Sequence, residues 1–150
     1  MSIEKDINSN KFRNGYHKAL INIVFTSNWV MERNKGFFER ADITPQQFNI
    51  LRILRGANAP LSTLQIRQRM LDKMSDTSRI VDRLIKKELV QKVVCAHDKR
   101  LVDVTITQKG LELLSHLDQY NDEIESALKG LNEAEIDQLN QLLDKIRETT

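Results

Sequence analysis

Between Leu61 and Ile106 the hydrophobic period of the chain changes, and that change limits what it can fold into. Met74, Thr77, Val81 and Leu84, with Ile80 and Ile85 beside them, recur at helical spacing. From Val90 to Cys95, and again from Leu101 to Ile106, β-branched residues dominate, and Val102, Val104 and Ile106 alternate with Asp103 and Thr105. The polar tip Ala96-His97-Asp98-Lys99-Arg100 separates the two runs. This order predicts a helix followed by a charged β-hairpin.

The segments around it read as helices. Lys11 to Glu39 has a loose helical period at Tyr16, Leu20, Ile23, Val24, Val30 and Phe37/Phe38, which predicts one long first helix. Thr44-Pro45-Gln46-Gln47 places a capping hydroxyl before a proline at the first helical position, with a glutamine three residues after the cap. The helix it opens is expected to bury Phe48, Leu51, Ile53 and Leu54 and to stop at Gly56. Ser62 and Gln65 repeat the capping pattern and open a short helix through Met70. Thr107 caps a helix expected to reach Lys129-Gly130, and Asn132 to Glu135 form a further capping box. Ile136, Leu139, Leu143 and Ile146 then follow a 3-4-3 spacing. The fold class is mainly α with a small β-hairpin wing: a winged helix-turn-helix with six helices. The whole chain, 1–150, reads as one domain, with 44–106 as the winged lobe between the helical regions 11–40 and 107–150.

Composition narrows the function classes. At 40% hydrophobic and 29% charged, the sequence is ordinary for a globular protein. No apolar run approaches the roughly 18–20 residues that span a bilayer, and the start has no signal-peptide pattern. Cys95, the single cysteine, excludes an intrachain disulfide framework and suits a reducing compartment, so a cytoplasmic location is expected. Cys95 and His97 share a strand face, but two ligands are too few for a metal site. No nucleophile–base pair or carboxylate pair converges, so neither enzyme activity, a metal nor a cofactor is expected.

The net charge of +2 says little, whereas its distribution says more. Residues 1–60 carry nine Lys/Arg against five Asp/Glu, 61–105 ten against six, and 106–150 four against ten. Two basic thirds and an acidic one imply a face for polyanions and a face for something else. A helix about 10–12 Å across fits the DNA major groove, which is roughly 12 Å wide. On the helix after the turn, Ser75, Asp76, Thr77, Ser78, Arg79, Asp82 and Arg83 are the residues expected to reach base edges or phosphates, with Arg79 suited to a bidentate contact with guanine. Lys73, Lys86, Lys87 and Lys92 flank that surface and can neutralise phosphates. At the wing, Asp98, Lys99 and Arg100 form the second contact: Arg100 can enter the narrow minor groove, and Asp98 is placed to pair with its guanidinium.

These motifs together resemble the multiple-antibiotic-resistance regulator (MarR) family, over nearly the whole span from Ile43 to Ile146. Ile43-Thr44-Pro45-Gln46-Gln47-Phe48-Asn49-Ile50-Leu51 resembles the family's L-T-x-x-Q-x-x-x-L, and Ser62-x-x-Gln65-Ile66 its T-x-x-E-L. Ser78-Arg79-Ile80-Val81-Asp82-Arg83-Leu84 resembles T-R-L-V-D-R-L, Asp98-Lys99-Arg100 the D-x-R wing tip, and Thr107-x-Lys109-Gly110 the T-x-x-G opening of a later helix. Two positions depart: Glu88 stands where a glycine usually follows the recognition helix, and Arg67 where a small alanine is common. The resemblance implies a dimeric protein, a homodimer with 11–40 and 107–150 as its helical dimerisation regions, whose recognition helices face one pseudo-palindromic stretch of double-stranded operator DNA. It carries Ser75, Thr77, Ser78 and Arg79 over as major-groove residues and Arg100 as the minor-groove arginine. It also implies a repressor released by a small aromatic or phenolic effector, in a pocket to which His17, Trp29 and Arg52 are assigned. The alternatives are an effector-independent or architectural DNA binder, and a helical protein-interaction module.

Overall fold

The computed structural model describes residues 2–148, which divide into two compact units, 2–35 with 123–148 and 36–122. In the first unit lie α1 (Ile3–Asp6), α2 (Gly15–Arg33) and α9 (Glu133–Arg147), with a 3₁₀ turn at Ser126–Leu128. The second holds α4 (Pro45–Ala57), β1 (Leu61–Ser62), α5 (Thr63–Arg69), α6 (Thr77–Lys86), β2 (Val90–Val94), β3 (Val102–Ile106) and α7 (Gln108–Asp118). Two short helices, α3 (Lys35–Arg40) and α8 (Asn121–Glu125), lie where the chain passes from one unit to the other.

Nine α-helices among the described residues replace the six expected. The long first helix breaks at Asn34, which caps α2 with its backbone near φ −87° and ψ 0°. Asn34 and Gly36, both weak helix formers, supply the break. The helix from Thr107 also stops early, at Asp118, where Tyr120 N–H closes a tight turn on the Leu117 carbonyl. The apolar period continues through both breaks, so periodicity alone does not reveal them.

The core belongs to the second unit. α4 is its centre: Ile50, Leu51 and Leu54 are fully or almost fully buried, and the helix packs against α5, α6, α7 and β3. Around it lie Phe37, Ile66, Met70, Val81, Leu84, Val90, Val104, Leu114 and Leu117. Phe48 and Ile53, expected in the core, are only half-buried, and Gln47 is buried in their place. Phe48 instead meets Phe37 and Phe38 edge to face at centroid distances of 5.3 and 5.7 Å. The capping box of α4 is complete: Thr44 Oγ1 accepts from Gln47 N–H at 3.1 Å and Gln47 Oε1 accepts from Thr44 N–H at 3.0 Å.

The hairpin forms with Val90 opposite Ile106 and Val94 opposite Val102. A third strand, β1, pairs with β3 on its other side and makes the sheet order β1-β3-β2. Two residues are too few to carry an alternating pattern, so β1 leaves no periodic signal.

Helix ends depart most from the sequence reading. Gly56 is inside α4, and the stop is Asn58, held left-handed at φ 49°. Asp42 and Glu88 are also left-handed, at φ 51° and 61°, whereas no glycine among the described residues has positive φ. Glu88 is the turning residue of a Schellman end to α6: its N–H reaches the Ile85 carbonyl at 2.9 Å and Leu89 N–H reaches Leu84 O at 3.0 Å. Leu84 and Leu89 are both buried, the apolar contact that accompanies such an end. A glutamate there is strained, since a Cβ in the left-handed region costs about 1–2 kcal/mol. The 3.4 Å exposed ion pair from Lys109 to Glu88 offsets little of that. Glu88→Gly is therefore expected to stabilise the protein by about 1 kcal/mol in urea unfolding; no gain, or a loss, contradicts the strain.

In the first unit α2 and α9 bury no residue fully. Tyr16, Leu20, Val24, Leu142 and Ile146 are all more than half exposed. A hydrogen bond from Lys18 holds the Glu4 carboxyl down at about 2, so this link is complete above the ordinary carboxylate range and is lost as pH falls toward that value.

Candidate nucleic-acid interface

The turn between α5 and α6 is built from hydrogen bonds. Leu71 N–H donates to Asn49 Oδ1 on α4 at 2.9 Å, and Asp72 Oδ1 accepts from Met74 N–H at 3.0 Å. Ser75 Oγ donates to the Asp72 carbonyl at 2.8 Å. Asp76 then caps α6, its Oδ1 accepting from Arg79 N–H at 3.2 Å. Helix α6 thus starts at Thr77, three residues after Met74, which is 94% exposed and not part of the helical face assigned to it.

On α6 the spacing of three and four separates two faces. Thr77, Val81 and Leu84 point into the core, while Ser78, Arg79, Asp82 and Arg83 are exposed. Thr77 is only 4% exposed, so it does not stand among the outward residues as expected. The sequence carries the signal, because Thr77 leads the same i, i+4, i+7 series as Val81 and Leu84. Its Oγ1 has no hydrogen-bond partner among the described residues.

The basic flank is only partly disengaged. Lys86 is exposed, but Lys73 Nζ donates to the Gln68 carbonyl. Lys87 Nζ is held by the Asp42 carbonyl and carboxylate, and Lys92 Nζ meets Asp82 Oδ1 at 3.2 Å. This last pair connects the outward face of α6 to the wing strand β2. Being exposed, it contributes little stability, yet it places a wing lysine beside the helix.

At the tip, His97, Asp98, Lys99 and Arg100 are all exposed. Asp98 Oδ1 accepts from the backbone N–H of Arg100 at 2.9 Å, and Leu101 N–H closes on the Asp98 carbonyl at 3.0 Å. The carboxylate therefore shapes the turn rather than pairing with the guanidinium as expected. Cys95, just past β2, is half-buried and donates its N–H to Leu101 O at 3.0 Å.

Sequence reasoning passes over one feature. A cleft of about 480 Å³ between α5 and the start of α6 is lined by Thr63, Leu64, Arg67, Met74, Ser75 and Ser78, among others. Arg67, larger than the alanine common at its position, projects outward there. The exposure of Leu64, Leu71 and Met74, at 63, 85 and 94%, has no periodic signature because these residues flank helices rather than continue them.

The residues assigned to an effector pocket fall in different units. His17 and Trp29 lie on α2: His17 Nδ1 accepts from Arg13 N–H at 3.2 Å, and the Arg33 guanidinium stands 5.5 Å from the Trp29 ring. Arg52 lies on α4, its guanidinium 5.7 Å from the Phe48 ring. No helix of the described residues is long and apolar enough to cross a membrane.

Residues 41–101 match the sequence model of the MarR family. A related protein, the HTH-type transcriptional repressor IacR of Pseudomonas putida, is 28% identical over 132 residues, covering 87% of this chain and 75% of the relative. Among solved structures, a mutant MarR from E. coli complexed with operator DNA superposes with a TM-score of 0.80 at 23% identity, covering 91% of this chain and 99% of that one. BpsR of Bordetella bronchiseptica, described with regulation of its DNA binding by 6-hydroxynicotinic acid, gives 0.79 at 21% identity, covering 94% and 99%. At those identities the two structures establish the fold, and the match over 41–101 falls on the α4-to-wing segment built above. Over the α4-to-wing segment the chain is thus similar in sequence to the MarR family, and its fold is that of solved MarR structures.

Proposed function

We propose that the protein is a sequence-specific DNA-binding transcriptional regulator, a repressor that binds a pseudo-palindromic operator as a homodimer in the cytoplasm. The observation that carries this reading is the pairing, within one compact unit, of an outward helix face bearing Ser78, Arg79 and Arg83 with an exposed wing tip bearing Lys99 and Arg100. Arginine donors on a groove-sized helix suit base edges; an arginine on a narrow arm suits the minor groove. Ser75, Asp76, Lys73, Lys86 and Lys92 border this surface, while Thr77 supports it from inside.

The dimer part of the reading is supported by the exposed apolar residues of α2 and α9, which a monomer leaves in water. Residues 11–40 and 107–150 would supply that interface and 44–106 the DNA-binding lobe. The relatives described as a repressor and as regulated by 6-hydroxynicotinic acid support release by a small aromatic effector. Such a compound must bind the conformer that cannot span both half-sites more tightly than the one that can. We read the protein as a binder rather than an enzyme.

Selection from a duplex pool with a randomised centre tests the reading. The enriched sequences should contain two inverted half-sites with centres one helical turn apart, roughly 34–36 Å. Enrichment of no motif, or of a single unrepeated half-site, contradicts it.

A further inference from the structure

We propose that Asp76 is a positioning residue that aims Arg79 end-on at a guanine, so that this chain gains discrimination for one G·C pair from an acidic residue on a basic surface. The inference rests on the DNA-binding reading above. Both carboxylate oxygens of Asp76 are committed to Arg79. Oδ1 accepts the Arg79 backbone N–H at 3.2 Å and Oδ2 meets the guanidinium Nε at 3.2 Å. That leaves the two terminal guanidinium nitrogens, which donate no hydrogen bond among the described residues. They form a fork that matches O6 and N7 of guanine. The side chains are 81% and 58% exposed, so the pair stands on the surface of α6 rather than within its packing.

The other charges on the helix are arranged differently. Asp82 is taken by Lys92 of β2 at 3.2 Å, and residue i−3 of Arg83 is the apolar Ile80, so Arg79 alone has an acidic tether on its own turn. An untethered arginine loses much rotamer freedom when it docks; one already held through Nε loses less. The carboxylate also repels phosphates and so lowers affinity for every sequence alike. Together these effects shift the balance from affinity toward specificity. Asp76 itself would then act through Arg79 rather than on a base, since each of its oxygens already meets an Arg79 nitrogen.

Asp76→Asn separates the tether from the cap, because asparagine caps helices as well as aspartate does. Its thermal unfolding midpoint should stay close to that of the wild type. Sequences selected by the wild-type protein from the randomised duplex pool would then be remade with 7-deazaguanine, which lacks the N7 acceptor, at each selected guanine in turn. At one guanine the wild type should lose roughly tenfold in affinity, and Arg79→Ala should lose almost nothing from the same replacement. Asp76→Asn should lose markedly less than the wild type there, while binding random-sequence duplex at least as tightly. If Asp76→Asn shows the wild-type loss, the tether is overturned and the DNA-binding reading stands. If the wild type binds no duplex in a salt-dependent way, both fall. If Arg79→Ala keeps the full loss, the guanine contact is made elsewhere and the proposal is wrong.

Discussion

Replacing Gly110 with alanine is expected to destabilise the protein by about 3 kcal/mol, the largest stability effect of any single methyl group added at a glycine. A Cβ there would fall 2.4 Å from the Leu89 carbonyl oxygen and 2.7 Å from Ile106 Cγ1. The first of these is backbone and cannot swing away. It is also committed, because Leu89 O already accepts from Thr107 N–H at 3.0 Å. Thr107 closes the joint: its hydroxyl donates to Glu88 O at 2.7 Å and accepts from Gly110 N–H at 3.1 Å. The end of α6, the base of the hairpin and the start of α7 thus meet at one point, which only a residue without a side chain can occupy. Alanine's better helix propensity returns about 1 kcal/mol at most, so the clash wins. Gly56→Ala is the internal control. That glycine lies in α4, and a Cβ there would meet nothing within 4 Å, so the same change should stabilise by roughly 0.5–1 kcal/mol. Urea unfolding of the two variants should give opposite signs. A neutral Gly110→Ala contradicts the close approach.

The same joint explains why the T-x-x-G signature is legible in the sequence: both of its residues answer a local constraint. The capping boxes at Thr44, Ser62 and Asn132 are legible for the same reason, since each is a reciprocal hydrogen bond between residues three apart. The hairpin is visible through its change of period. What escapes depends on contacts that spacing does not encode. The breaks at Asn34 and after Asp118 interrupt a continuing apolar period, and β1 exists only because β3 offers it a partner. Glycines are the natural places to seek helix stops, yet Asp42, Asn58 and Glu88 take the left-handed positions.

The candidate site is legible in position and less so in detail. Ser78, Arg79 and Arg83 do face outward and the wing tip is exposed. Thr77 belongs by spacing to the apolar series and by residue type to the base-reading face, and a single helix satisfies only one of these. Its burial follows from the i+4 and i+7 partners Val81 and Leu84. Asp98, expected on a side chain, is found on the backbone, since a residue two positions before an amide closes a turn more readily than it reaches a long guanidinium. Such competition between local hydrogen bonds is decided by backbone geometry, which residue types alone leave open.

The second large effect concerns binding. On the proposed reading Arg79 would present donors to the major groove and Arg100 to the minor groove, so removing both should take away a base contact and a charge held close to the phosphates. Arg79→Ala alone should cost about 1–3 kcal/mol on a selected operator and relax preference at one position. Lys86→Ala, by contrast, should weaken all sequences alike and reduce the salt slope by about one. The double variant Arg79→Ala, Arg100→Ala should lose the distinction between operator and random duplex. The decisive measurement is a titration of the wild-type protein and this double variant against a selected operator at increasing salt. Log affinity of the wild type should fall linearly with log salt, by roughly 10³–10⁵ between about 50 and 200 mM for the six to ten phosphate contacts of a typical dimer, with the double variant starting far weaker. A wild-type affinity that does not change with salt, or a double variant that binds the operator as the wild type does, would contradict the account.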